Sequence, residues 1–136
     1  MPGEMSSTHG GNPVCVAAAL ANLRVLQDEN LIERSRETGR MVMDDFRKLQ
    51  QDHPDRIQAI RGRGLFISVC FQKSERGEPD CDLESAIVSE ALLRGVLMFY
   101  TGRGFIKFTP PLGIDPQAAL EASGVIRACV ADLTQA

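Results

Sequence analysis

The densest run of groups able to do chemistry is Ser6-Ser7-Thr8-His9-Gly10-Gly11, which leads straight into Asn12-Pro13. Hydroxyl donors, glycines that let backbone N–H groups come close, and the positive end of a following helix together suit an anion such as a phosphate. The Gly-Lys-Ser/Thr element of a Walker A loop is missing, so an ordinary capped loop stands as the alternative. Cys15, Cys70, Cys81 and Cys129 form no CxxC pair and have no histidine at ligand spacing. They read as reduced thiols of a cytoplasmic protein, with no metal site. His9 and His53 make no recognisable catalytic order with any serine, which leaves hydrolase chemistry unsupported. Arg61-Gly62-Arg63-Gly64 runs into an apolar stretch and reads as a structural turn with surface arginine, in preference to an RNA-binding tract.

Composition narrows the classes further. The chain has 136 residues, 43% hydrophobic and 24% charged, with a net charge of −3. That is the make-up of a globular protein with enough apolar surface to fold. No apolar run approaches the ~18–20 residues of a membrane span, and no basic excess marks a nucleic-acid binder. The first dozen residues carry neither a signal peptide nor a helix or strand pattern. A chain that opens in mid-loop reads as an excerpt of something longer.

The elements that must position these groups follow from periodicity. Asn12 and Pro13 are an N-cap and first-turn pair opening an apolar helix over 14–26, in which Arg24 is the sole charge. Being apolar almost all round, this helix is expected to be covered on most faces, lying between two bodies of protein. A second helix spans about Leu31 to Gln51, with Leu31, Ser35, Thr38, Val42, Phe46 and Leu49 on its inner stripe and Gly39 marking a close contact. Ile57–Ile60 and Leu65–Phe71 read as strands, the latter covered on both faces. Asp82 is expected to cap a third helix running to Arg94, with Leu83, Ile87, Ala91 and Leu92 inward. Val96–Tyr100 and Phe105–Phe108 read as two further strands around the turn Thr101–Gly104. Asp115-Pro116 opens a last helix that buries Leu120, Val125, Ile126, Cys129 and Leu133. The simplest fold for this order is α+β: a small antiparallel-rich sheet of about four strands with helices on one face, preceded by the long apolar linking helix.

The stretch Ser-Thr-x-Gly-Gly-Asn-Pro before an Ala-rich helix, then QDENLIERSRETG, IRGRGLFISV and KFTPPLGID, in that order, resembles the class III pyridoxal-phosphate aminotransferases. This is the group of ornithine, acetylornithine and 4-aminobutyrate aminotransferases, and the likeness covers essentially the whole chain. It implies the C-terminal segment of a fold-type I enzyme: residues 1–29 as the end of the large domain with the linking helix, and 30–136 as the small domain. It implies a homodimer in which Thr8 reaches the phosphate of the neighbouring subunit's cofactor, pyridoxal 5'-phosphate, with Ser7 assisting. At the position where many relatives carry an Arg that grips the substrate carboxylate this chain has Lys107. It holds the carboxylate less tightly, or another residue takes over, with Arg103 as a second candidate, or the substrate lacks that group, a strand-edge lysine being the plain alternative. A mobile ammonium replaces a planar two-pronged guanidinium at that position.

The resemblance also implies a Schiff-base lysine, and none of Lys48, Lys73 and Lys107 has suitable surroundings. The chain alone is therefore expected to contain no catalytic residue and to be inactive. The whole enzyme would exchange an amino group between an amine or amino acid and a 2-oxo acid. The rival reading is a non-catalytic dimerisation or interaction module working through the apolar first helix. A small-ligand sensor rests on the anion-friendly loop alone.

Overall fold

A computed structural model of the chain describes residues 10–73 and 77–134. It divides into two units that part between residues 32 and 33. The first holds α1 (Pro13–Asp28). Asn12 caps α1 by accepting from the Val14 N–H at 3.0 Å and the Cys15 N–H at 3.3 Å, as Asn before Pro should. The expected burial of this helix is not found. None of its residues is buried, and Val14, Leu20 and Leu23 stay half or more exposed.

The remaining elements are α2 (Leu31–Asp52), β1 (Ile57–Arg63), β2 (Phe66–Phe71), α3 (Cys81–Leu93), β3 (Phe105–Phe108) and α4 (Pro116–Thr134). Three antiparallel strands lie in the order β1-β2-β3. The α+β class with a small antiparallel sheet is as expected, but the count of about four strands is not. Val96–Tyr100 carries strand-like residues yet belongs to no strand, because no neighbour in the described residues supplies a ladder.

The Arg-Gly-Arg-Gly segment is only in part a turn. Its first three residues continue β1, Arg63 pairs with Phe66, and Gly64-Leu65 alone make the two-residue connection. Gly64 has φ +56°, the left-handed conformation that tight hairpins require at low steric cost. The central strand β2 is not covered on both faces either. Ile67, Val69 and Phe71 are buried while Phe66 is exposed, so alternation holds despite the almost continuous apolar sequence.

The core forms on that one face. Val42, Phe46 and Leu49 of α2 meet Ile67, Val69 and Phe71 of β2, Ile106 and Phe108 of β3, Ile87 and Ala91 of α3, and Ile126 and Val130 of α4. Phe46 and Phe108 pack edge to face with ring centres 5.7 Å apart. In α2 the expected stripe is borne out, Ser35 being half-buried and the others buried. The α3 cap is Asp80 in place of Asp82; it accepts from the Leu83 N–H at 3.0 Å and pairs with Arg56 at 3.0 Å. Leu92 points outward, since at about 100° per residue it lies across the helix from the buried Leu83. In α4, Ile126 and Cys129 are buried as expected, Leu120 and Val125 are half-buried, and Leu133 is exposed. Ala119, Ser123 and Val130 take the innermost places. The polar tie from Ser123 and Arg127 to Asp45, both at 2.7 Å, sets that rotation. Among the described residues, no helix is long and apolar enough to cross a membrane.

Gly39 is where α2 meets the β1–β2 connection. A Cβ there would fall 2.1 Å from the Gly64 carbonyl oxygen, so the contact is backbone against backbone. Nearby, the Ser35 hydroxyl accepts from the Leu65 N–H at 3.3 Å. Gly39→Ala should therefore cost about 1–3 kcal/mol through overpacking. Gly124→Ala, on α4 with nothing within 4 Å of its Cβ, should instead stabilise by up to about 1 kcal/mol. Urea unfolding of the two variants beside the parent checks both signs.

Candidate functional site

Alternation along β3 determines which of its side chains are available. Ile106 and Phe108 turn into the core, and Phe105 and Lys107 turn to the open face of the sheet. Across that face Lys107 stands opposite Ser68, which stands opposite Arg61, so one row of the three strands carries two cations. The Lys107 ammonium lies 5.9 Å from the centre of the Phe105 ring, two residues back on the same side, within cation–π range.

A cavity of about 680 Å³ opens beside β3. Its apolar wall comes from Met98, Tyr100, Phe105 and Phe108, and its cations are Arg103 and Lys107. The two residues singled out for a substrate carboxylate thus line one cavity. Among the described residues, neither has an acidic partner within ion-pair distance. An apolar wall with two cations beside it suits a small anionic molecule with a hydrocarbon part. Thr109, Pro110 and Pro111 complete the rim, where the double proline ends β3 by removing ladder donors.

Ser7 and Thr8, the residues assigned to a cofactor phosphate, lie outside the described residues, as does His9. The helix end that follows them is already engaged, since Asn12 occupies the Val14 and Cys15 N–H groups. The described residues therefore do not form a cradle that fits pyridoxal phosphate. The lysines are placed accordingly: Lys48 is exposed on α2, Lys73 is exposed and 4.0 Å from Asp82, and Lys107 is on the cavity. Burial pushes the Cys70 and Cys129 thiols up, which keeps them protonated and poor nucleophiles. No group of three or more His, Cys, Asp or Glu among the described residues is placed to hold a metal ion.

Sequence reasoning missed Glu84. It is fully buried on α3, where its carboxylate takes hydrogen bonds from the turn that carries Arg103. The signal was available: Glu84 shares the stripe of Leu83, Ile87 and Ala91, spaced three and seven residues before the last two. An acid on an apolar stripe needs internal donors, and Thr101-Gly102-Arg103-Gly104 is a donor-rich turn.

The chain is similar to known proteins along nearly its full length. The aminotransferase class-III family model matches residues 1–130. The 4-aminobutyrate aminotransferase of Mycobacterium tuberculosis is 38% identical over 133 residues, 96% of this chain and 29% of the relative. The mitochondrial ornithine aminotransferase of Oryza sativa subsp. japonica is 40% identical over 122 residues, 90% of this chain and 25% of the relative. The chain thus spans less than a third of the length of these relatives. Among solved structures, acetylornithine aminotransferase from Elizabethkingia anophelis superposes with a TM-score of 0.83 at 30% identity, covering 97% of this chain and 32% of that one. The Toxoplasma gondii ornithine aminotransferase gives 0.82 at 30% identity, covering 99% and 31%, and its active site shows partial occupancy by pyridoxal phosphate. The family's enzymes are transaminases that depend on this cofactor. With the family pattern running from its first residue to residue 130, this chain belongs to the class III aminotransferases.

Proposed function

We propose that the chain is the C-terminal, substrate-side portion of a pyridoxal-phosphate-dependent transaminase, moving an amino group between an amine or amino acid and a 2-oxo acid. The observation that carries this reading is the pairing of Arg103 and Lys107 on one cavity with an apolar wall. Lys107 takes the substrate carboxylate as a point charge, steadied by the Phe105 ring, and Arg103 offers a second, forked contact. The apolar wall of Met98, Tyr100 and Phe105 takes the hydrocarbon part of the substrate. When bound, the cofactor supplies the electron sink of amino-group transfer. The residues of this chain bind and orient the substrate.

On the same reading, residues 1–29 end the large domain and carry the linking helix, and 30–136 make the small domain. The enzyme is a cytoplasmic homodimer in which the Thr8 hydroxyl, aided by Ser7, donates to the cofactor phosphate of the neighbouring subunit. Neutral hydroxyls suit a dianion already balanced elsewhere. The Schiff-base lysine belongs to the part of the enzyme outside these 136 residues. The uncovered apolar side chains of α1 favour the second reading, an interaction module that self-associates through this helix.

Three outcomes are expected. In the chain itself, titration with glutarate should move the NMR signals of Arg103 and Lys107. Lys107→Met should weaken that binding about tenfold, equivalent to about 1.4 kcal/mol, and Lys107→Arg should preserve or strengthen it. In the whole enzyme, Thr8→Val should weaken binding of pyridoxal phosphate by about 1–3 kcal/mol, measured by cofactor titration; an interaction module would show no such change. Pyridoxal phosphate added to the isolated chain and reduced with borohydride should label no single lysine stoichiometrically, as mass spectrometry would reveal.

A further inference from the structure

Glu84 is fully buried yet has no part in the reading above. Its Oε1 accepts from the Thr101 N–H and from the Thr101 hydroxyl at 2.7 Å. Its Oε2 accepts from the Gly104 N–H at 2.9 Å and the Arg103 N–H at 3.2 Å. A carboxylate in apolar surroundings is tolerated only when its lone pairs are filled, and here four donors fill them. Three of the four are main-chain N–H groups of one turn. They converge because Gly102 and Gly104 adopt φ of +69° and +74°, where other residues are strained. Such a concave set of N–H groups is an anion nest. In this chain the anion comes from α3, so the turn is not open to an external phosphate or carboxylate.

The placement of this turn decides where the two cavity cations stand. Arg103 is part of the nest, and Gly104 leads directly into Phe105 and Lys107. Gly104 is held from its other side as well. Its carbonyl accepts from the Phe71 N–H at 2.7 Å, and a Cβ on it would fall 2.7 Å from the Pro79 Cβ. Gly104 is thus held by β2 and by the Pro79–Asp80 segment that leads into α3, and among the described residues the Glu84 carboxylate ties the N–H groups of Thr101, Arg103 and Gly104 to the body of α3. We propose that Glu84 is a positioning residue: by filling the nest of Thr101–Gly104 it sets Arg103 and Lys107 in register on the cavity. The assignment takes its ligand from the carboxylate reading, but the positioning itself does not depend on what binds.

The test uses the isotopically labelled 136-residue chain and two variants. Glu84→Gln keeps the size, removes the charge and turns an N–H₂ toward the nest's own N–H groups. Thr101→Val removes the hydroxyl whose one hydrogen is shared between Glu84 and the Phe105 carbonyl, and leaves the backbone donors to Glu84 intact. In Glu84→Gln, hydrogen exchange at the Thr101, Arg103 and Gly104 amides should speed up by about tenfold or more. The Lys107 side-chain signals should lose the shift induced by the Phe105 ring, and glutarate should bind about tenfold more weakly. The Ser35 and Leu65 amides, at the Gly39–Gly64 contact, should keep their wild-type shifts. Thr101→Val should show the same changes in smaller degree. Unchanged Lys107 signals in folded Glu84→Gln overturn the assignment. So does a disturbance spread equally to Ser35 and Leu65, which would make Glu84 structural only. If Glu84→Gln does not fold, Thr101→Val decides by the same criteria. If the wild-type chain binds no glutarate, the carboxylate reading falls, and the amide and Lys107 signals still decide the role of Glu84.

Discussion

A three-stranded sheet with helices on one side can bury only one of its faces, and the rest of this unit follows from that limit. Period-two alternation sends Ile67, Val69, Phe71, Ile106 and Phe108 inward, and the same alternation leaves Phe105 and Lys107 outside. A sheet covered on both sides would have no place for the Lys107 ammonium without an acid to pair it. The one-sided arrangement gives that cation a wet face, an aromatic neighbour and a cavity beside it. The side chains of the open face are those that the packing rule for the other face leaves over.

The one-sided core has to be held by contacts that are specific as well as apolar. Two kinds of close approach do this. Backbone meets backbone where Gly39 of α2 lies on Gly64, a contact that permits no side chain. Charge meets backbone where Glu84 fills the turn before β3 and where Asp80 caps α3 while pairing with Arg56. Each of these would be unfavourable if half made. A buried carboxylate without donors costs several kcal/mol, so a complete nest ties α3 to the sheet far more strictly than apolar contact alone. The Asp45 tie to Ser123 and Arg127 works in the same way at the α2–α4 contact, although it is less deeply buried.

Membership of the class III aminotransferases changes how the uncovered surfaces read. The relatives are more than three times longer than this chain, and a helix as apolar as α1 with none of its residues buried is out of keeping with a self-sufficient body. The segment Val96–Tyr100 has strand-forming side chains and no strand; it buries Met98 and leaves Leu97, Phe99 and Tyr100 exposed.

Much was therefore legible before any coordinates. Residue type and spacing determined the stripe of α2, the Asn12-Pro13 and Asp115-Pro116 helix starts, the close contact at Gly39, the strand at Phe105–Phe108 and the family itself, because these depend on local periodicity, capping chemistry and a shared order of segments. Tertiary structure decided the remainder. It moved the α3 cap to Asp80, because Asp80 could satisfy both the helix end and Arg56 from elsewhere in the chain. It rotated α4 about its axis through the Asp45 tie, left β2 open on one side, and denied Val96–Tyr100 a ladder. It also brought Glu84 to a turn 17 to 20 residues further on. Spacing along a chain reports which way a side chain points. Only the folded chain determines what stands there to meet it.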